Sequence, residues 1–372
     1  MKKLVVLVLA AAVLCTGCAA KMEKRLGELT TKAPVNEADA IPDICSSPDG
    51  KYQIALCLSG TMLKDRGFNE YCLNGVKLFA NENNKTYKYY IPAKDATDQD
   101  NADCVRAAIT NGAEVVVVVG FNYGNPLNEV APQNPDVKFV FVDGWDTGYN
   151  NVASVAFREN EGGYLAGYSA VKEGYTRLGF IGGGGGSNGA CNRYGRGFVC
   201  GAEDAAKELG KKVEVNYSYQ YATTFTGSPE LQAMTNAWYT NGTEVIFSAA
   251  GSAQDSVAAA AAANDAWIIA CDADASARSR AVLTTSVKRT DVATKLMLEV
   301  CFSDKWDSVR GKSMTLGVSD GAICLPVESW RFKNFTIGQY EELMDRMKAG
   351  EIKVDDDHNN NASSEWLTFR KM

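Results

Sequence analysis

The sequence predicts an α/β protein with two doubly wound lobes, each built on a parallel sheet covered by helices on both faces. Three observations predict it. Short, almost uninterrupted apolar runs alternate with helix-like stretches, as strands buried on both faces require. The alternation occurs twice along the chain, and the two copies agree residue by residue at one place.

The chain opens with Met1, Lys2 and Lys3, an apolar stretch from Leu4 to Leu14, and then Cys15, Thr16, Gly17 and Cys18. A basic start, an apolar core too short to span a bilayer and small residues at a cleavage point read as a secretory signal over residues 1–17. Small residues ahead of a cysteine add a bacterial lipoprotein reading, with lipid on the Cys18 thiol after cleavage at Gly17. Removing the leader leaves 36 basic against 45 acidic side chains, so nucleic acid is not an expected partner. Residues 18–50 are charged and small, punctuated by Pro34, Pro42 and Pro48, and read as a lipid anchor and flexible tether. The remaining length, about 320 residues, exceeds one hydrophobic core and again predicts two domains.

The elements of the first half follow as YQIALCL, a helix over 69–83, YKYYIPA, a helix over 99–111, EVVVVVG and KFVFVDG. The order returns as RLGFIGG, a helix over 192–209, VEVNYSY, a helix over 228–241, EVIFSAAG and AWIIACDAD. Thr110, Asn111, Gly112, Ala113, Glu114 and Val115 recur as Thr240, Asn241, Gly242, Thr243, Glu244 and Val245. The strand that follows ends at Gly120 in one copy and Gly251 in the other, and the next at Asp143 and Asp272. Open α/β sheets bind ligands at the carboxyl ends of their strands, so the matched aspartates are expected to line one shared cleft. The plainer alternative is that each caps a loop or helix. The six alanines Ala258 to Ala263 need only be a helix packed close to the sheet.

After Cys18, nine cysteines remain: Cys45, Cys57, Cys72, Cys104, Cys191, Cys200, Cys271, Cys301 and Cys324. They form no CxxC pair, sit singly in apolar segments and read mostly as buried free thiols. His358 is the sole histidine and stands in a polar tail, residues 353–372, which argues against a metal site and against histidine-based catalysis. No GxSxG appears. The glycine run Gly182 to Gly186, read through Gly184, Gly186 and Gly189, fits GxGxxG after a strand and before a helix. Because it opens the second repeat of an exported chain, it is expected to be a flexible loop at the cleft rim, and no cofactor is expected.

Candidate site residues lie in the strand-end loops. In the segment Asp65, Arg66, Gly67, Phe68, Asn69, Gly67 permits a tight turn and Asn69 can cap the next helix. Phe68, a large aromatic at a loop apex, is a stacking platform if it faces the cleft. Asn122, within GFNYGNPL at 120–127, and Trp145 stand at strand ends that should rim the cleft. Trp145 reads either as a further stacking surface or as a lobe-packing residue, and Lys288, beside Arg289, either as a ligand contact or as a surface lysine. Arg158, Glu159 and Glu161 mark the first crossing between lobes, where paired charges could set a hinge or meet a transporter, or simply begin a helix.

DRGFN at 65–69, NVASVAFRENEGGYLAG at 151–167, LGFIGG at 178–183, TNGTEVIFSAAG at 240–251, CDADA at 271–275 and LTTSVKRTDVA at 283–293 share an order and spacing. In these landmarks the chain resembles the basic membrane protein family of bacterial lipoproteins, over about residues 52–330. Members of that family bind purine nucleosides for an ABC transporter. The resemblance implies that Phe68 and Phe225 sandwich the base, that Asp143 meets its polar edge, that Asp272 and Lys288 hold the ribose hydroxyls, and that the Gly251 backbone approaches the sugar. Asp65, Asn69, Asn122 and Trp145 complete the expected ligand-binding set. Lys64, the loop GFNYGNPL at 120–127, Trp145, and Ser252, Ala253 and Gln254 after Gly251 depart from the family pattern and leave both the base and the choice of nucleoside over another polar solute unspecified.

The expected architecture is therefore a type I periplasmic-binding-protein fold with three crossovers, residues 51–156 and 289–318 forming one lobe and 157–288 and 319–352 the other. The expected activity is capture of a purine nucleoside or similar small polar solute between the lobes. Delivery to an ABC transporter permease would follow, by a monomer lipid-anchored at the extracytoplasmic face of the cell membrane. The alternatives are an exported enzyme using Asp143 or Asp272 as a base, and a ligand sensor on the same scaffold.

Overall fold

The valine run Val115 to Val119 is buried along its whole length and lies inside a six-stranded sheet, as a strand covered on both faces must. The structure, a computed structural model, describes residues 36–65 and 67–372. In chain order the strands of the first half are β1 (Ile54–Cys57), β2 (Tyr87–Tyr90), β3 (Val115–Val119), β4 (Lys138–Val142) and β5 (Val152–Phe157). Then come β6 (Arg177–Gly182), β7 (Val213–Ser218), β8 (Val245–Ala249), β9 (Trp267–Asp272) and β10 (Val282–Lys288), followed by β11 (Ser313–Leu316), β12 (Ile323–Cys324) and β13 (Leu367–Lys371).

One sheet runs β2-β1-β3-β4-β5-β11 and the other β13-β7-β6-β8-β9-β10-β12. The pairings β1 with β2, β1 with β3, β6 with β7 and β6 with β8 are all parallel. Each sheet reverses its winding at its first strand, β1 in one and β6 in the other, and such a switch point opens a crevice at the strands' carboxyl ends. The chain divides into two compact units, residues 36–158 with Lys288–Ile323, and Glu159–Val287 with Cys324–Met372.

The repeated hexapeptide has one structural job in both units. Asn111 and Asn241 end their helices, donating backbone N–H to Ala107 O and Ala237 O, and Gly112 and Gly242 follow at φ 91° and 96°. Only glycine adopts that backbone without strain, so the motif ends a helix and turns the chain into the next strand. Thr97 and Ser228 cap the same two helices at their starts.

In the second unit, helices Glu159–Glu173 and Gly189–Leu209 touch backbone to backbone. A Cβ on Gly163, Gly167, Gly197 or Gly201 would come within about 2 Å of a carbonyl oxygen of the facing helix. These glycines are spaced four apart on each helix, and their missing side chains set the interaxial distance. Glu159 opens the first of these helices, almost fully buried, with its carboxylate 2.7 Å from Arg193.

Two expectations need correction. Residues 36–50 are not free tether: Asn36 caps a short 3-10 turn that buries Ala38, and Asp43 pairs at 3.0 Å with Lys77, whose ammonium is buried and needs a carboxylate. Pro42 O accepts from the Tyr87 hydroxyl, and Tyr87 N donates to Cys45 Sγ. Nor is 353–372 a solvated tail. It returns to the second unit and adds β13 beside β7, with Leu367 buried and Asp355 paired to Arg196 at 3.0 Å. Alternating Leu367 and Phe369 was a strand pattern too short to stand out after so polar a run. Among the described residues the nine cysteines are thiols, and six of them, Cys57, Cys72, Cys104, Cys191, Cys271 and Cys301, are buried.

Candidate functional site

In the first unit the loop after β1 is fastened before it can present anything. The Asp65 carboxylate accepts from the backbone N–H of Gly67, Asn69 and Glu70, so the helix Phe68–Asn83 is capped by Asp65, not by Asn69. Asn69 is 2 % exposed, and its side chain donates to Ser59 O and Met62 O while accepting from Ser59 N. Those three bonds use Asn69 to shape the loop, which differs from its expected place among the ligand contacts. Asn122 accepts from the Ser59 hydroxyl at 3.1 Å, joining the loops after β1 and β3 across the switch point.

Three expected residues do come together. Lys288, the last residue of β10, has a side chain 2 % exposed and donates to Asp143 Oδ1 at 2.9 Å. Its Nζ lies over two rings, 5.3 Å from the centroid of Phe68 and 5.1 Å from that of Phe157. A desolvated ammonium is tolerated there because a carboxylate and two ring faces replace water. Asp143 follows β4 at φ 58°, a left-handed backbone that aspartate accepts more readily than most residues. Lys288 is thus no surface lysine, and Phe157, one residue before the first crossing, is a member of the cluster that the sequence did not single out; its position at the carboxyl end of β5 was the available signal.

Trp145 stands two residues beyond Asp143, with its ring 5.1 Å from Phe141, edge to face, and half exposed. Its carbonyl accepts from the buried Ser154 hydroxyl.

In the second unit Phe225 and Gly251 are brought together. Phe225 sits at φ 61° and Gly251 at φ 56°; the Phe225 carbonyl accepts from Ala253 N at 3.0 Å and from the Ser252 hydroxyl at 2.8 Å. The Phe225 ring lies flush on Gly183, where a Cβ would stand 2.3 Å from a ring carbon. Gly184, Gly185 and Gly186 all have positive φ, so the glycine run serves as a floor for this ring and a bend into the next helix. Asp272 ends β9 at φ 74°, the same left-handed geometry as Asp143, and accepts from the Cys271 thiol at 3.1 Å.

The loop after Asp272 has an anchor that the sequence did not disclose. The Arg331 guanidinium donates to the carbonyls of Ser276, Ser279 and Val282, and Ser329 donates to Asp274. No local pattern connects residues so far apart, so only the fold reveals it. Among the described residues no cluster of three or more His, Cys, Asp or Glu is arranged to hold a metal ion. No helix among them is long and apolar enough to cross a membrane, and Cys18 with its leader lies outside them.

A family model described as ABC transporter substrate-binding protein PnrA-like matches residues 51–358. The chain belongs to this family, the Bmp family. Relatives include a CD4+ T-cell-stimulating antigen of Listeria monocytogenes, 25 % identical over 323 residues that cover 82 % of this chain and 88 % of that one. Another is the ABC transporter nucleoside-binding protein BmpA of Lactococcus lactis subsp. cremoris, 29 % identical over 230 residues, 59 % of this chain and 63 % of that one. A solved solute-binding protein of an ABC transporter system from Aeropyrum pernix superposes with a TM-score of 0.66 at 21 % identity, covering 82 % of this chain and 94 % of that chain. That likeness shows the fold, the type I periplasmic-binding-protein fold expected for a Bmp-family chain.

Proposed function

We propose that this Bmp-family protein is a lipid-anchored nucleoside-binding protein of the extracytoplasmic face, which captures a purine nucleoside and delivers it to an ABC transporter permease. One observation carries the ligand reading: Asp143, Lys288 and Phe68 stand together at the strand ends of a single unit. A flat ring suits the face of a base, a carboxylate accepts from N–H groups along its edge, and an ammonium donates to oxygen. In the second unit, Phe225 supplies another flat surface and Gly251 lets backbone come close to a sugar. The Asp272 carboxylate can accept from both hydroxyls of a cis-diol. Asn122 adds an amide, whereas Asp65 and Asn69 act by shaping the loop that carries Phe68. The name of the Lactococcus relative supports a nucleoside as the ligand. Cys18 carries the lipid, and the protein works as a monomer without cofactor or catalysis.

Calorimetry with inosine, guanosine and adenosine, followed by mass analysis of the recovered nucleoside, tests this reading. One-to-one binding of at least one purine nucleoside, recovered unchanged, is expected. Binding of none of them, or conversion to base and sugar, would overturn it.

A further inference from the structure

The most exposed large aromatics of the first unit are Phe121, 63 % exposed, and Trp145, 50 % exposed. They follow β3 and β4, neighbouring strands whose ends are joined where Gly120 N donates to Val142 O. The Trp145 ring is held firmly for so exposed a side chain. A Cβ on Gly124 would stand 2.3 and 2.7 Å from two carbons of the indole, so the ring rests directly on the Gly124 backbone. Gly124 has ordinary helical angles, φ −57° and ψ −55°, which any residue adopts. Its backbone therefore has no need of glycine; what requires glycine there is room for the indole. Phe141 fixes the ring from the side, the Ser154 hydroxyl holds the Trp145 carbonyl at 2.6 Å, and Asp146 closes the next turn by accepting from Gly148 N at 2.8 Å. A solvent-facing aromatic with one side bedded on backbone loses little freedom when a ligand meets its other side.

We propose that Trp145 is the residue that selects base size, an inference that rests on the nucleoside reading above. Asp143 and Trp145 share one loop with a single residue between them, so their Cα atoms are at most about 7 Å apart. A base whose polar edge bonds to Asp143 lies beside this loop, and a purine, with two fused rings, presents more aromatic surface to the indole than a pyrimidine does.

The test compares guanosine, inosine, uridine and cytidine by calorimetry on the wild-type protein, Trp145→Ala, Trp145→Phe and Gly124→Ala. Trp145→Ala is expected to weaken the purine nucleosides about three- to tenfold, the usual worth of an aromatic pair, while leaving pyrimidine nucleosides as they were. Trp145→Phe is expected to keep most of the purine preference, and Gly124→Ala, which displaces the indole without removing it, to fall between. An unchanged ratio of purine to pyrimidine affinity in Trp145→Ala overturns the inference, whether both classes bind as before or both weaken equally, and leaves the nucleoside reading standing. Failure of the wild-type protein to bind any nucleoside removes that reading itself.

Discussion

Lys288 is a charged side chain almost without water, and a carboxylate at 2.9 Å and two ring faces stand around it. Removing that carboxylate takes away part of what compensates a buried charge, whereas removing both charges together is often nearly neutral. Asp143→Ala is therefore expected to lower unfolding stability by about 3 kcal/mol, the low end for a buried pair, because Asp143 is 23 % exposed. Asp143→Ala combined with Lys288→Met is expected to recover most of that loss in urea titrations but not nucleoside affinity. A double variant as unstable as the single would contradict this account of the pair. The matched aspartates were legible from the sequence because both repeats end a strand with the same residue. The burial of Lys288 was not, since a lysine beside an arginine looks the same inside a protein as on its surface until Phe68, Asp143 and Phe157 are placed around it. The helix cap was read as Asn69, and Asp65 takes that part, for a related reason. Both residue types cap helices, and only the turn at Gly67 decides which of them reaches the N–H groups.

At the scale of elements, the two glycine-bearing helices of the second unit show how sequence can carry a contact without revealing it. Gly201 lies mid-helix, where alanine ordinarily gains about 1 kcal/mol in helix propensity. Its missing Cβ would stand 2.1 Å from Tyr164 O, so here the methyl must push a whole helix away. Gly201→Ala is expected to destabilise by about 1–3 kcal/mol through overpacking. Gly338→Ala, at a helical glycine with nothing within 4 Å, is expected to be neutral or slightly stabilising. Thermal melts of the two variants side by side check the contrast; equal shifts would mean that the close approach is not what holds this helix pair. Helices with a clear apolar stripe, such as the one over 189–209, were found from the sequence nearly to their ends. The strand pair β5 and β11 and the closing strand β13 were not, because four to six residues without a turn signal on both sides carry too little periodicity.

Over the whole molecule, the duplicated order of strands was legible, while both ends of the body were misjudged as solvated. Polar composition predicts solvation only where no partner is waiting, and Arg196 waits for Asp355 as Lys77 does for Asp43. The Asp355 carboxyl is held below its ordinary value of 3.8 by the Asn360 amide and the Asp357 N–H, with partial burial opposing and the Arg196 guanidinium assisting. A carboxyl whose folded pKa is depressed contributes stability that is fully present above the unfolded value and is lost as pH falls through the folded one. Acidification from about pH 5 to about pH 3 is therefore expected to loosen the end of the chain, seen as faster amide exchange in β13. Asp355→Asn should show the same loosening at neutral pH; unchanged exchange in both cases would mean that this carboxylate holds nothing.

Met372, the final residue, donates its backbone N–H to Tyr217 O, and the strand just before it lies along β7. Without β13, β7 would be an open edge of its sheet. Such an edge is a template for pairing with other chains. A nonsense change just after Glu365 would remove β13, and it is expected to yield aggregated or degraded product.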